Sequence, residues 1–227
     1  MGQLANISSL KIVASALSVF EHNIVFIGGA VVELYCDDEA RGEVRHTDDI
    51  DVVIELVSRA AHADFEDKLR QSGFQHDTSM ICRFKYSGIT VDIIPTDPNI
   101  LSFSNRWYEE GINHTVSITL DSQVVIKIFE VTYFLATKIE ALKSKRHGND
   151  FRANSDFEDI IYIFDNRTTL FLEIQQADIE VKTYLINEIK QLISRPNIHE
   201  EVVANLEPSN SVPRKNRILS IWEGLIH

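Results

Sequence analysis

Two aspartates one residue apart, inside a segment that otherwise reads as a buried strand, constrain this chain more than any other feature: Asp49-Ile50-Asp51-Val52-Val53-Ile54. In a strand, side chains at i and i+2 share a face. Asp49 and Asp51 therefore project together, while Ile50 and Val52 enter the opposite layer. Two carboxylates held that close repel each other strongly unless a cation sits between them. Mg²⁺ meets that need, because it takes hard oxygen ligands and keeps waters and substrate phosphates in its shell. Upstream, Ile24–Ile27 is a short apolar strand that stops at Gly28-Gly29, and an amphipathic helix is predicted over 30–36. Glycines at a strand-to-helix corner let the backbone approach a ligand. A helix N-terminus then offers free N–H groups and a positive dipole end to phosphates.

A third aspartate has its own local support. Ile81–Tyr86 and Ile89–Ile94 flank Ser87-Gly88, a two-residue hairpin signal. Asp92 lies inside the second of these strands, where a charge is disfavoured by propensity and costly to bury unpaired. Set beside Asp49 and Asp51, it reads as a third metal ligand. Pro95 is expected to end the strand by removing a ladder donor.

The remaining pattern gives an α/β region followed by helices. An opening helix is predicted over 7–20, a helix over 62–72, and a second hairpin from 116–120 and 124–128 around Asp121-Ser122. From residue 130 onward the reading is helical: 130–146, 155–165, 168–194 with a break, and 198–206, with a loop at 207–213 and a closing helix carrying Ile218, Ile221, Trp222 and Leu225 on one face. Ser155 is read as an N-cap with Glu158 three residues on, a capping box. The expected organisation is an α/β domain over 1–129, with a mixed sheet flanked by helices, and a mainly helical region over 130–227.

On these residues the sequence resembles the nucleotidyltransferase superfamily that includes DNA polymerase beta, the CCA-adding enzymes and the aminoglycoside nucleotidyltransferases. The superfamily pattern falls on Ile27-Gly28-Gly29, on Asp49-Ile50-Asp51-Val52 after Arg45-x-Thr47, and on Val91-Asp92-Ile93. The gap between Gly29 and Asp49 is longer than usual and reads as an enlarged acidic loop over 36–43. A second block, Lys138 on a helix, a basic loop with Arg146, and Asp156-Phe-Glu-Asp159 at a helix start, is similar to the AbiEii/AbiGii-type toxin nucleotidyltransferases. The resemblance implies a nucleotidyltransferase-type mixed sheet with two Mg²⁺ ions held by Asp49, Asp51 and Asp92. It places Gly28, Gly29, Thr47 and Lys138 on the nucleotide, with Asp156 or Asp159 in support. It also implies an RNA or protein acceptor and an antitoxin partner.

Charge and composition weigh on the acceptor. The formal net charge is −12, with 34 acidic against 22 basic residues, which opposes unaided nucleic-acid binding driven by phosphate neutralisation. Lys143, Lys145, Arg146, His147 and Arg152 form the densest basic stretch and are the candidates to guide a triphosphate or an RNA end. Cys36 and Cys82 lack zinc spacing and suit a reducing cytoplasm; no membrane span or secretory leader is expected. No His pair has metal spacing, and no Walker-type Gly-Lys-Ser/Thr is present. The expected reaction moves a nucleoside monophosphate from a nucleoside triphosphate to an acceptor hydroxyl. The alternatives are a small-molecule, antibiotic-type nucleotidyltransferase, whose cationic substrate an acidic surface would suit, and a non-catalytic nucleotide-binding module.

Overall fold

Strand-forming residues of the first half build one sheet. The computed structural model describes residues 2–39, 41–56, 58–101, 104–121, 123–144 and 148–227. Lys145, Arg146, His147 and Ser122 lie outside the described residues. The chain divides into two compact units, one of residues 1–31 and 43–130, the other of 32–42 and 131–227.

Among the described residues the first unit holds seven strands: β1 (Ile24–Ile27), β2 (Asp49–Ile54), β3 (Gln75–His76), β4 (Arg83–Tyr86), β5 (Ile89–Pro95), β6 (Thr115–Thr119) and β7 (Val125–Phe129). Their order across the sheet is β3-β4-β5-β2-β1-β7-β6. β2 lies between β1, which runs antiparallel to it, and β5, which runs parallel. The sheet is therefore mixed, as the sequence predicts. Val25, Val52, Val53, Ile54 and Val91 are all fully buried, and burial of that apolar surface is the main force holding the central strands together. The β4–β5 turn has positive φ at both Ser87 (49°) and Gly88 (82°), the backbone a two-residue hairpin of the I′ kind requires. It fixes the register Tyr86↔Ile89, Lys85↔Thr90, Phe84↔Val91 and Arg83↔Asp92.

Helix α1 (Gly2–Leu17) packs against β2 and β5, burying Leu10, Val13 and Leu17. Helix α2 (Arg59–Gln71) starts at Ser58, whose hydroxyl accepts from the Ala61 N–H. Two short helices, α3 (Pro98–Leu101) and α4 (Tyr108–Gly111), complete the unit. One expectation is corrected: the helix predicted from Ala30 is a seven-residue 3₁₀ helix, Gly29–Tyr35. An α-helix of two turns is marginal without strong propensity, and Val31-Val32 are β-branched and lower it further. Cys36 and the acidic residues after it then leave the helix, and the Asp37 and Asp38 amides donate to the Asn166 carbonyl, both at 3.1 Å.

The second unit is helical: α5 (Val131–Leu142), α6 (Ser155–Asn166), α7 (Leu170–Gln176), α8 (Ile179–Ile193), α9 (Ile198–Ala204) and α10 (Ser211–Ile226). Most of α5 is buried, and it packs against α6, α7 and α8. The N-cap of α6 is Asn154, not Ser155: the Asn154 Oδ1 accepts from the Asp156 and Phe157 amides at 2.9 and 3.0 Å. Ser155 is displaced into the first turn because asparagine caps as well as serine does and precedes it. Pro213, expected in a loop, lies in the first turn of α10, where its missing N–H has no intrahelical partner to lose. Ile218, Trp222 and Leu225 are buried on the inner side of α10, and Trp222 meets Phe164 edge to face at 5.6 Å. Among the described residues no helix is long and apolar enough to cross a membrane.

Candidate metal centre

Register decides which acidic side chains meet. Asp51 on β2 stands opposite Asp92 on β5, and Asp49 stands opposite Thr90. In a parallel pair, opposed residues share a face, so the i, i+2 spacing on β2 and the β2–β5 register bring all three aspartates to one side. Ligand atoms of Asp49, Asp51 and Asp92 all lie within 4.8 Å of one another. Ile50 and Val52, which alternate with them, are buried at 1% and 0% exposure.

The charges feel one another. Burial, then the Asp92 carboxylate, pushes the Asp49 pKa up, against the opposing fields of Arg83 and Arg45. A cation between these groups would reverse that direction.

The glycine pair is fitted to the carboxylates. Gly28 has φ +76°, and a Cβ there would stand 2.0 Å from Asp51 Oδ2. Only glycine takes this backbone without strain and leaves the carboxylate its place. A Cβ on Gly29 would meet both Arg45 Nη2 and Thr47 Cγ2 at 2.5 Å. Thr47 is buried, its hydroxyl donating to the Asp49 carbonyl at 3.2 Å. The loop it belongs to is held by Asn6 of α1. Asn6 Nδ2 donates to the Arg45 carbonyl at 3.0 Å, and its Oδ1 accepts from the Thr47 amide at 3.2 Å.

Sequence reasoning missed two members of this site. Asn6 gives no local signal, since its partners lie 39 to 41 residues on. Arg83 does: counting four residues outward on each side of Ser87-Gly88 places it opposite Asp92. Its Nε and Nη2 donate to the two Asp92 oxygens, both at 2.7 Å, and Nη2 lies 3.6 Å from Asp49 Oδ2. The Asp92 hydrogen bonds, opposed by burial, hold the Arg83 guanidinium further toward its charged form.

Neither the protein-family models nor the curated proteins show a match to this sequence. Among solved structures it is similar to the crystal structure of an antigenic nucleotidyltransferase-like protein from Paracoccidioides brasiliensis. The TM-score is 0.55 at 18% identity, over 94% of this chain and 99% of that one. The chain has a nucleotidyltransferase-like fold.

The other predicted residues form their own cluster in the helical unit. Lys138 Nζ lies 2.7 Å from Asp159 Oδ2 and 2.9 Å from Asp156 Oδ1. Burial acts to lower the Lys138 pKa, but Asp159 and Asp156 together outweigh it and the net direction is up. Lys138 is therefore a charged, buried ammonium held by two carboxylates. Of the basic run, Lys143 is paired with Glu188 at 2.7 Å and Glu140 at 3.1 Å, and Arg152 with Asp150 at 2.6 Å.

Proposed function

We propose that the protein is a metal-dependent nucleotidyltransferase, moving a nucleoside monophosphate from a nucleoside triphosphate to an acceptor hydroxyl. The observation that carries this reading is the convergence of Asp49, Asp51 and Asp92 on one face of two paired strands. The donor set fits hard divalent cations of the Mg²⁺ kind: three carboxylates, no sulfur and no imidazole. The close approach of the Gly28 backbone to the Asp51 carboxylate, which a Cβ would block, supports the same fit.

Asp49, Asp51 and Asp92 would hold the ions, with Asp92 on the acceptor side. Bound there, divalent ions neutralise charge at a reacting phosphate and lower the pKa of a coordinated hydroxyl. The protein's share is orientation. The β2–β5 register fixes the three carboxylates relative to one another, and Gly28 lets Asp51 sit against the end of β1. Asp92 is also read as an acceptor for the proton of the attacking hydroxyl. The Gly28-Gly29 backbone borders the carboxylates and is read as the approach for the β- and γ-phosphates, with Thr47 behind it. Lys138, with Asp156 and Asp159, is read as the nucleotide-supporting cluster of the helical unit.

An RNA acceptor with an antitoxin partner is the finer reading, carried by the AbiEii/AbiGii-type resemblance. One observation favours a second acceptor class. Lys143 and Arg152 already have carboxylate partners, and the chain carries a net −12, which suits a small cationic acceptor. Incubation with α-³²P-labelled nucleoside triphosphates and separate RNA, protein and small-molecule fractions tests both. Label in RNA that vanishes in Asp49→Asn/Asp51→Asn supports the first, and label only in a small-molecule product supports the second. No transfer to any fraction, with all four nucleotides and Mg²⁺ or Mn²⁺ supplied, would overturn the assignment.

A further inference from the structure

Arg83 is the group at the carboxylates to which the reaction above gives no task. It lies on β4 in register with Asp92, and its fork takes both oxygens of that carboxylate at 2.7 Å. The same Nη2 stands 3.6 Å from Asp49 Oδ2, so the guanidinium occupies the space that joins Asp92 to Asp49. The Asp92 side chain is only 8% exposed, and little water competes for it. A planar fork on a single carboxylate is among the stronger charge-assisted pairs. A divalent ion that took Asp92 as a ligand would meet that fixed positive charge at close range, and like charges in a partly buried site repel strongly.

We propose that Arg83 is a resident cation that withholds Asp92 from the metal shell until a nucleoside triphosphate draws the guanidinium away. In the nucleotide-free protein the divalent ion rests on Asp49 and Asp51 alone. A triphosphate offers the same fork a second set of paired oxygens, so Arg83 exchanges one anion for another and Asp92 becomes a ligand. Nucleotide binding and completion of the metal shell are thereby coupled, and the coupling is reciprocal.

This inference rests on the nucleotidyl-transfer reading, and Mn²⁺ binding followed by the spin-resonance signal of the free ion separates the two. Arg83→Gln in the full chain, without nucleotide, is expected to bind Mn²⁺ about tenfold more tightly than the unaltered protein, the weight of one charge-assisted hydrogen bond. Arg83→Gln/Asp92→Asn is expected to lose that gain. A non-hydrolysable α,β-methylene triphosphate should tighten Mn²⁺ binding in the unaltered protein and do so much less in Arg83→Gln. Should the glutamine variant fail to fold, Arg83→Lys keeps the charge but loses the fork, and a gain of a few-fold is expected there. Mn²⁺ affinity in a folded Arg83 variant equal to or weaker than that of the unaltered protein overturns the proposal. If the unaltered protein binds Mn²⁺ no better than Asp49→Asn/Asp51→Asn, the transfer reading itself falls.

Discussion

Substitution of Gly28 by alanine isolates the fit between the glycine corner and Asp51. Two effects add at this position. The first is backbone strain: φ of +76° costs a residue with a Cβ about 1–2 kcal/mol. The second is steric: the new methyl carbon would lie 2.0 Å from Asp51 Oδ2 and 2.8 Å from Asp51 Cγ, so the carboxylate must leave its position opposite Asp92. Gly88 supplies the control. Its φ is +82°, yet a Cβ there meets no heavy atom within 4 Å, so Gly88→Ala carries the strain alone. Both variants should lose about 1–2 kcal/mol from the backbone term, with Gly28→Ala losing more. Only Gly28→Ala should lose Mn²⁺ affinity, by about tenfold or more if one of the ligands is displaced. Chemical denaturation gives the stability difference, and spin-resonance titration gives the metal affinity. Equal Mn²⁺ affinity in the two variants would refute the reasoning, because Asp51 would then bind its ion from another position or not at all.

Three further outcomes follow from particular groups. Lys138→Met leaves the buried Asp159 and the half-buried Asp156 without that cation and should cost about 3–5 kcal/mol, read by denaturation; unchanged stability would show that the pairing in the helical unit is not formed. Since burial and Asp92 raise the Asp49 pKa, the folded chain holds the Asp49 proton more tightly than the unfolded chain does. Stability then falls as pH rises through the range just above the ordinary aspartate pKa. In chelator, Asp49→Asn should therefore gain on the unaltered protein across that range and hold a constant lead above it; a difference in melting temperature that does not change with pH would contradict this. Burial pushes the Cys36 thiol up to about 12 and the Cys82 thiol up to about 11, so both should react slowly with a thiol reagent at pH 8 in the native protein and quickly once it is unfolded. Fast reaction in the native state would disprove the burial of Cys82 or the partial shielding of Cys36.

The parts of the fold legible in the sequence are those fixed by short-range physics. The strand Ile24–Ile27 and the Ser87-Gly88 hairpin follow from an apolar run and a turn dipeptide, and both occur where expected. The common face of Asp49 and Asp51 follows from the period of a strand. What was not legible depends on partners distant in sequence. Over seven residues the α-helical and 3₁₀ periods give nearly the same pattern; the Asn166 carbonyl that takes the Asp37 and Asp38 amides decides how the segment ends. The two-residue strand at Gln75–His76 exists only because β4 lies beside it. Asn154 and Ser155 are both capping residues, and sequence alone does not rank neighbours of equal aptitude. At the carboxylates, the acidic members were readable and the basic one was passed over, although the hairpin register already placed Arg83 opposite Asp92.

The excursion of residues 32–42 into the helical unit bears on how such a chain can be cut or recombined. The Tyr35 ring lies tilted against Phe134 with centroids 4.7 Å apart, the Tyr162 hydroxyl donates to the Gly42 carbonyl at 2.8 Å, and Arg167 donates to the Tyr35 carbonyl. The first unit is thus interrupted in sequence by eleven residues whose partners come from the second. No single break in the polypeptide yields either unit whole. A fragment ending at residue 130 would keep every strand and all three aspartates while exposing the buried Val32 and Tyr35. As units of heredity the two halves are interlocked: a crossover near residue 130 that grafts this strand-bearing half onto another helical half must also replace the loop between Gly29 and Asp49, or carry along a partner that fits it.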